Sequence, residues 1–305
     1  MKIIVHFSFQ VYDLKIKYKI DQILNTLIQD FVIPESDIKN DDVYVRYKFE
    51  VAYDIKLITT ILENLNSIYE ESLGSNRMSS TFRYFRYIYE YTDDERRNAE
   101  LYRITSIGNR SELYLSSKSK DELITFCPSC LRNKKVTKNE LMFNTSVIKK
   151  FPLIFVDEHM VISQDLADKF SEWNLSGYIL REVRHKGSTT GQNAFQVIPT
   201  NILPPQNLIG QLSSDPQVKM RTCPECGVVE HLQLPYSYDR KVSQLMQDFN
   251  LTYEYFPINE ETVIRHMLVS KKVITLLVEN GISHNKTFSD DTKWSLVPVL
   301  TNNTV

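Results

Sequence analysis

His159-Met160-Val161-Ile162-Ser163 and His266-Met267-Leu268-Val269-Ser270 are one five-residue pattern written twice, 107 positions apart. The register continues beyond the serines, pairing Leu166 with Val273, Ala167 with Ile274, Phe170 with Leu277, Leu175 with Ile282 and Ser176 with Ser283. Each copy predicts a short buried strand, a serine helix N-cap, about three helical turns with one apolar face, and a stop at Asn174 or Gly281. A second strand is predicted after each helix, over residues 178–183 and 294–299. Two copies so far apart cannot stack as a solenoid. They predict one pseudo-symmetric α+β domain over 120–305, with the copies at about 153–183 and 264–299.

Between and before these copies lie Cys127-Pro128-Ser129-Cys130 and Cys223-Pro224-Glu225-Cys226-Gly227. Two such knuckles supply the four soft thiolates that a closed, tetrahedral structural zinc site takes. Proline after the first cysteine favours the tight turn, and Gly227 lets the backbone curl so that N–H groups point at sulfur. The spacing departs from common ribbons, because 92 residues separate Cys130 from Cys223. Loop-closure entropy grows only logarithmically, so a shared site remains accessible to such distant segments. Metal binding would then be part of the folding free energy. Arg132, Lys134, Lys135 and Arg221 are placed to offset the net negative charge of four thiolates around one zinc ion. Two other readings stay open at this point: a thioredoxin-like redox pair, which needs an activated thiolate at a helix start, and unrelated free thiols. Four cysteines leave no open position for water, which disfavours catalytic zinc. His231 lies five residues beyond Cys226 and could replace a ligand.

Ahead of the cysteines the pattern changes. Residues 3–11 and 43–51 read as strands. Ile20, Ile23, Leu24, Leu27, Ile28 and Phe31 recur at helical spacing before Pro34, and a second amphipathic helix runs from about 54 to 72. With the β-prone stretch 81–91, the order β-α-β-α-β predicts a separate α/β layer domain over 1–115. Residues 92–98 read as a solvated turn or helix start, and 118–122 as a linker.

Composition bounds the function. Across 305 residues, 36 Lys+Arg stand against 38 Asp+Glu, and residues 1–120 hold 17 basic and 18 acidic side chains, so neither part is a basic lobe. A broad electrostatic nucleic-acid footprint is therefore disfavoured. No apolar run approaches the roughly 18–20 residues of a membrane span, and the N-terminus turns polar too soon for a secretory signal. A cytoplasmic location is expected, where four cysteines serve as metal ligands more readily than as disulfides.

Weaker patterns carry bland readings. Arg83 and Arg86 interleave with aromatic residues across 82–91, which could stack bases, yet an alternating strand gives the same letters. Lys186-Gly187-Ser188-Thr189-Thr190-Gly191 lacks the ending of a phosphate loop and reads as a hairpin or mobile loop. His159 and His266 read as packed strand ends, and Asp93-Asp94 and Asp290-Asp291 as solvated turns. No catalytic residue is assigned.

Knuckles and repeat together resemble the double-CXXCG-motif immunity proteins of bacterial polymorphic-toxin systems. The matching parts are Cys127 to Cys130, Val161-Ile162-Ser163 through Leu175-Ser176-Gly177, Cys223 to Gly227, and Leu268-Val269-Ser270 through Gly281-Ile282 to Val297-Pro298-Val299. The resemblance covers about 120–300. Leu131 stands where the first motif carries glycine, and 1–115 has no counterpart. The resemblance implies a non-enzymatic protein that binds and neutralises a cognate protein toxin, its fold held by one structural Zn²⁺ on Cys127, Cys130, Cys223 and Cys226. It names neither the toxin, the binding surface nor an oligomeric state. The N-terminal domain is then either the toxin-reading surface or an independent module. The runner-up is a zinc-ribbon nucleic-acid-binding or regulatory protein, with an enzyme on a zinc-stabilised fold third.

Overall fold

The structure is a computed structural model describing residues 1–11, 14–28, 36–39, 42–72, 85–106, 114–115, 122–136, 140–156, 159–229, 234–259, 261–282 and 294–302. It is a mixed α+β fold in two compact units, the first comprising chiefly Met1–Thr92 and the second Asp93–Glu230 with Pro235–Val305. Leu101–Ser106 pairs with strands of the second unit.

In the first unit, Lys2–Val11 lies between Asp42–Ala52 and Phe85–Glu90, antiparallel to both. Ser36–Lys39, absent from the sequence expectation, pairs antiparallel with Asp42–Ala52. Alternation places Val5, Phe7, Phe9 and Val11 in the core. Phe7 stacks on Phe49 and Phe9 on Tyr47, at 4.9 and 4.8 Å between ring centroids. The helices Leu14–Leu27 and Ile55–Ser72 add Ile20 and Leu24, then Ile58, Ile61, Leu65 and Ile68. Asp54 caps the second helix by accepting from the Lys56 and Leu57 amides at 2.8 and 3.1 Å. The first helix begins at Leu14, ahead of the apolar rhythm that starts at Ile20, with lysines alternating against Leu14, Ile16 and Tyr18 in its opening turns. Inside, the Tyr47 hydroxyl donates to the buried Asp21 carboxylate at 2.7 Å. Burial and that carboxylate both push the Tyr47 phenol upward from its ordinary value.

The second unit contains two five-stranded sheets. One runs Tyr178–Glu182, Ala194–Pro199, His159–Ser163, Leu153–Val156, Tyr114–Leu115; the other runs Trp294–Pro298, Leu101–Ser106, Met267–Ser270, Phe249–Leu251, Asn201–Ile202. Both have three antiparallel pairings followed by a parallel one. Ser163 and Ser270 each end a strand and cap the next helix, accepting from the Leu166 and Val273 amides at 3.2 and 3.3 Å. The helices Gln164–Glu172 and Lys271–Glu279 close alike, with Leu175 N–H bonded to Phe170 C=O at 3.0 Å and Ile282 N–H to Leu277 C=O at 2.9 Å. Asn174 and Gly281 take the left-handed backbone there, at φ +48° and +74°.

A common core between the sheets holds Met160, Ile162, Leu166, Ala167 and Phe170 together with Val269, Val273, Ile274 and Leu277. The similarity reaches further than the sequence pattern. Before the first copy, Asn144 caps the 3-10 turn Thr145–Lys149; before the second, Asp239 caps Arg240–Leu245. Phe143 and Tyr238, each one residue earlier, are buried in the outer-face clusters. Asp93–Asn98, expected as a turn or helix start, is a six-residue helix with acids first and arginines last, matching the helix dipole.

Candidate metal centre

Glu122–Cys127 and Arg132–Val136 form an antiparallel hairpin with a bulge between Thr125 and Cys127, and its turn is the first knuckle. Leu131 closes that turn at φ +57°, the conformation that the motif's usual glycine supplies without strain. The second knuckle follows the helix Pro216–Arg221 and is tied by a bridge between Thr222 and Val229. Gly227 takes φ +72°, donates to the Cys223 carbonyl at 2.9 Å, and leaves the Cys223 amide to reach the Val228 carbonyl at 2.9 Å.

The two knuckles meet. The Sγ atoms of Cys127, Cys130, Cys223 and Cys226 all lie within 4.8 Å of one another. Cys127 and Cys223 sulfurs are 3.9 Å apart, and those of Cys130 and Cys226 are 3.7 Å apart. Four sulfurs about 2.3 Å from a common centre stand about 3.8 Å apart in a tetrahedron, and a disulfide would need about 2.05 Å. The cluster can therefore hold a metal ion, and all four cysteines are free thiols. Backbone N–H groups of Cys226 and Glu225 pull the Cys223 thiol down to about 7, whereas burial pushes Cys226 up to about 12. Neither pair opens a helix after a strand, which is where a thioredoxin-like thiolate is activated.

The other sequence candidates scatter. Lys134 and Lys135 line a cavity; Arg132 is buried and Arg221 partly buried. The loop containing Gly187 and Gly191 is tied down, since Thr189 donates to Asn144 at 3.1 Å and the Gln192 amide to Thr145 at 2.9 Å. A β-carbon on Gly191 would come within 2.6 Å of the His185 ring, so close packing explains that glycine. Of the stretch 82–91, Phe85–Glu90 is a strand of the first unit's sheet; residues 82–84 lie outside the described residues, as do His231 and Asp290-Asp291.

His159 and His266 both border the cavity, which sequence reasoning missed. It measures about 480 Å³ and includes Arg103, Arg181 and Arg265, three arginines from strands or loops far apart in sequence. No linear motif links them. His266 is buried, and burial followed by the charge of Arg103 holds its imidazole well below the usual histidine range. Its Nδ1 lies 2.5 Å from the Tyr236 hydroxyl, and Phe256 stacks on the ring at 4.1 Å.

No family model, curated protein or solved structure matches the chain. No helix among the described residues is long and apolar enough to cross a membrane.

Proposed function

We propose that the protein is a bacterial, cytoplasmic immunity protein that binds and neutralises a cognate toxin, with one structural zinc ion on Cys127, Cys130, Cys223 and Cys226. The meeting of two knuckles from distant parts of the chain carries this reading. A four-thiolate site saturates zinc and leaves no position for a substrate or water, as suits a scaffold rather than a catalyst. The like-ordered sheets and capped helices support a duplicated α+β body beneath that scaffold. Zinc would staple the hairpin of Glu122–Cys127 and Arg132–Val136 to the segment after Arg221.

Co-expression with the toxin encoded by the adjacent gene is the direct test. Restored growth and a complex on gel filtration are expected; undiminished toxicity with no complex would overturn the reading. Metal analysis of protein purified without chelator should give one zinc per chain, and less than about half an equivalent would remove the shared site.

A zinc-ribbon nucleic-acid-binding role is the alternative, favoured by Lys134 and Lys135 on the hairpin that follows the first knuckle. Both lysines, however, line a cavity of about 480 Å³, far smaller than a duplex groove requires. A salt-dependent gel shift with DNA or RNA would favour it.

A further inference from the structure

The cavity of about 480 Å³ lies wholly within the second unit, bordered by strands of both five-stranded sheets and by the hairpin that carries the first knuckle. Five of its lining residues are cationic, Arg103, Lys134, Lys135, Arg181 and Arg265, with Lys134 and Lys135 alternating across one strand so that one of the two faces inward. Among the described residues, no Asp or Glu lines it. In a chain with formal net charge −2, this local concentration is a built feature rather than a reflection of composition.

The cations are held in place. Arg181 donates through Nε and NH2 to Gln196 Oε1 at 3.0 and 2.6 Å, and Gln196 is itself buried. Arg265 lies over the Tyr255 ring at 4.7 Å, and its buried Nε has no hydrogen-bond partner. Glu254, which feels the charge of Arg265, accepts from the Gln206 amide through Oε1 at 2.7 Å. Arg103 lies over the Tyr236 ring, 6.0 Å from its centroid. The Tyr236 hydroxyl and His266 Nδ1 are hydrogen-bonded at 2.5 Å, which fixes that ring at the cavity's edge. Converging cations raise one another's energy unless an anion joins them, and desolvation in a concave site amplifies the effect.

The rest of the wall is apolar. Ile104, Phe155, Met160, Val197 and Val263, all buried, and the partly buried Met267 back it with apolar side chains. The volume falls in the usual range of about 300–1,000 Å³ for small-molecule sites. We propose that this cavity binds a phosphorylated organic anion of the nucleotide class, its phosphates among Arg103, Arg181 and Arg265 and its base against the apolar wall. Multiple charge points to phosphates, which arginine recognises through paired N–H groups. The apolar wall demands a body that inorganic phosphate lacks. The inference stands apart from toxin neutralisation and from the nature of any protein partner.

Calorimetric titration of the full zinc-loaded chain with ADP, adenosine and inorganic pyrophosphate tests it. One ADP per chain is expected to bind, more tightly than either fragment and more weakly as salt rises. Arg181→Gln and Arg265→Gln should each weaken ADP binding about tenfold, and Lys219→Gln, on the exposed helix Pro216–Arg221, should leave it unchanged. Should a variant fail to fold, ADP protection of Lys134 or Lys135 from acetylation in the parent chain reads the same site. No binding by ADP, equal affinity for pyrophosphate or adenosine, unaltered affinity in both folded arginine variants, or unprotected lysines would each overturn the proposal.

Discussion

Leu131 holds a left-handed backbone that its β-carbon resists, at φ +57° and largely exposed. Such a conformation costs roughly 1–2 kcal/mol for a residue with a β-carbon. Leu131→Gly should stabilise the protein by about 1 kcal/mol in denaturant unfolding, after the greater freedom of glycine in the unfolded chain offsets part of the gain. His266 acts in the opposite sense when pH falls. Folded, it stays neutral in its buried place beside Arg103, while in the unfolded chain it takes a proton near pH 6.5. The unfolded state then binds more protons, so stability falls as pH drops below about 6.5. His266→Gln should lose less stability than the parent between pH 7.5 and 5.5, measured by denaturant titration with zinc in excess. The sequence places His266 at a strand end but gives no hint of Tyr236, Phe256 and Arg103 around it, because those contacts cross between separate elements.

At the element scale, the two serine caps separate what is shared from what is particular. Ser163→Ala should cost about 1 kcal/mol, the usual loss of an N-cap. Ser270→Ala should cost more. Its hydroxyl also donates to Asp248 at 2.6 Å, and Asp248 accepts from the Ser176 amide and hydroxyl at 2.9 and 3.0 Å. Asp248 thus joins the start of one copy's helix to the chain just after the other's. Paired unfolding curves for the two variants check the difference. The caps, helix faces and stops were legible because each is set within a dozen residues by periodicity and a side-chain hydrogen bond. Leu101–Ser106 was not, since alternation marks a strand without saying which sheet receives it. It fills the position next to Met267–Ser270 that Ala194–Pro199 fills next to His159–Ser163.

For the whole molecule, the metal centre and the cavity share one hairpin. The knuckle turn is its tip, while Lys134 and Lys135 on its second strand border the cavity. Arg132–Val136 also pairs parallel with Thr262–Ile264, adjacent to Arg265. Chelating the metal should therefore lower thermal stability and weaken ADP binding together, both recovering on adding zinc. Acidification should release a bound metal, because protons compete with it for all four thiolates. Melting curves with and without chelator, followed by ADP titration of the folded fraction, read both effects.

The amino-acid sequence alone determined what short-range chemistry controls: two cysteine knuckles, a strand-serine-helix pattern written twice, the helical and strand rhythm of the first ninety residues, and a chain without a basic lobe. Tertiary structure alone decided what long-range pairing controls. It brought Cys127 and Cys130 to Cys223 and Cys226, moved Leu101–Ser106 into the second unit, and gathered arginines from distant strands around one cavity. Periodicity and capping act over a few residues, whereas sheet partners and convergent side chains are chosen by packing the whole unit.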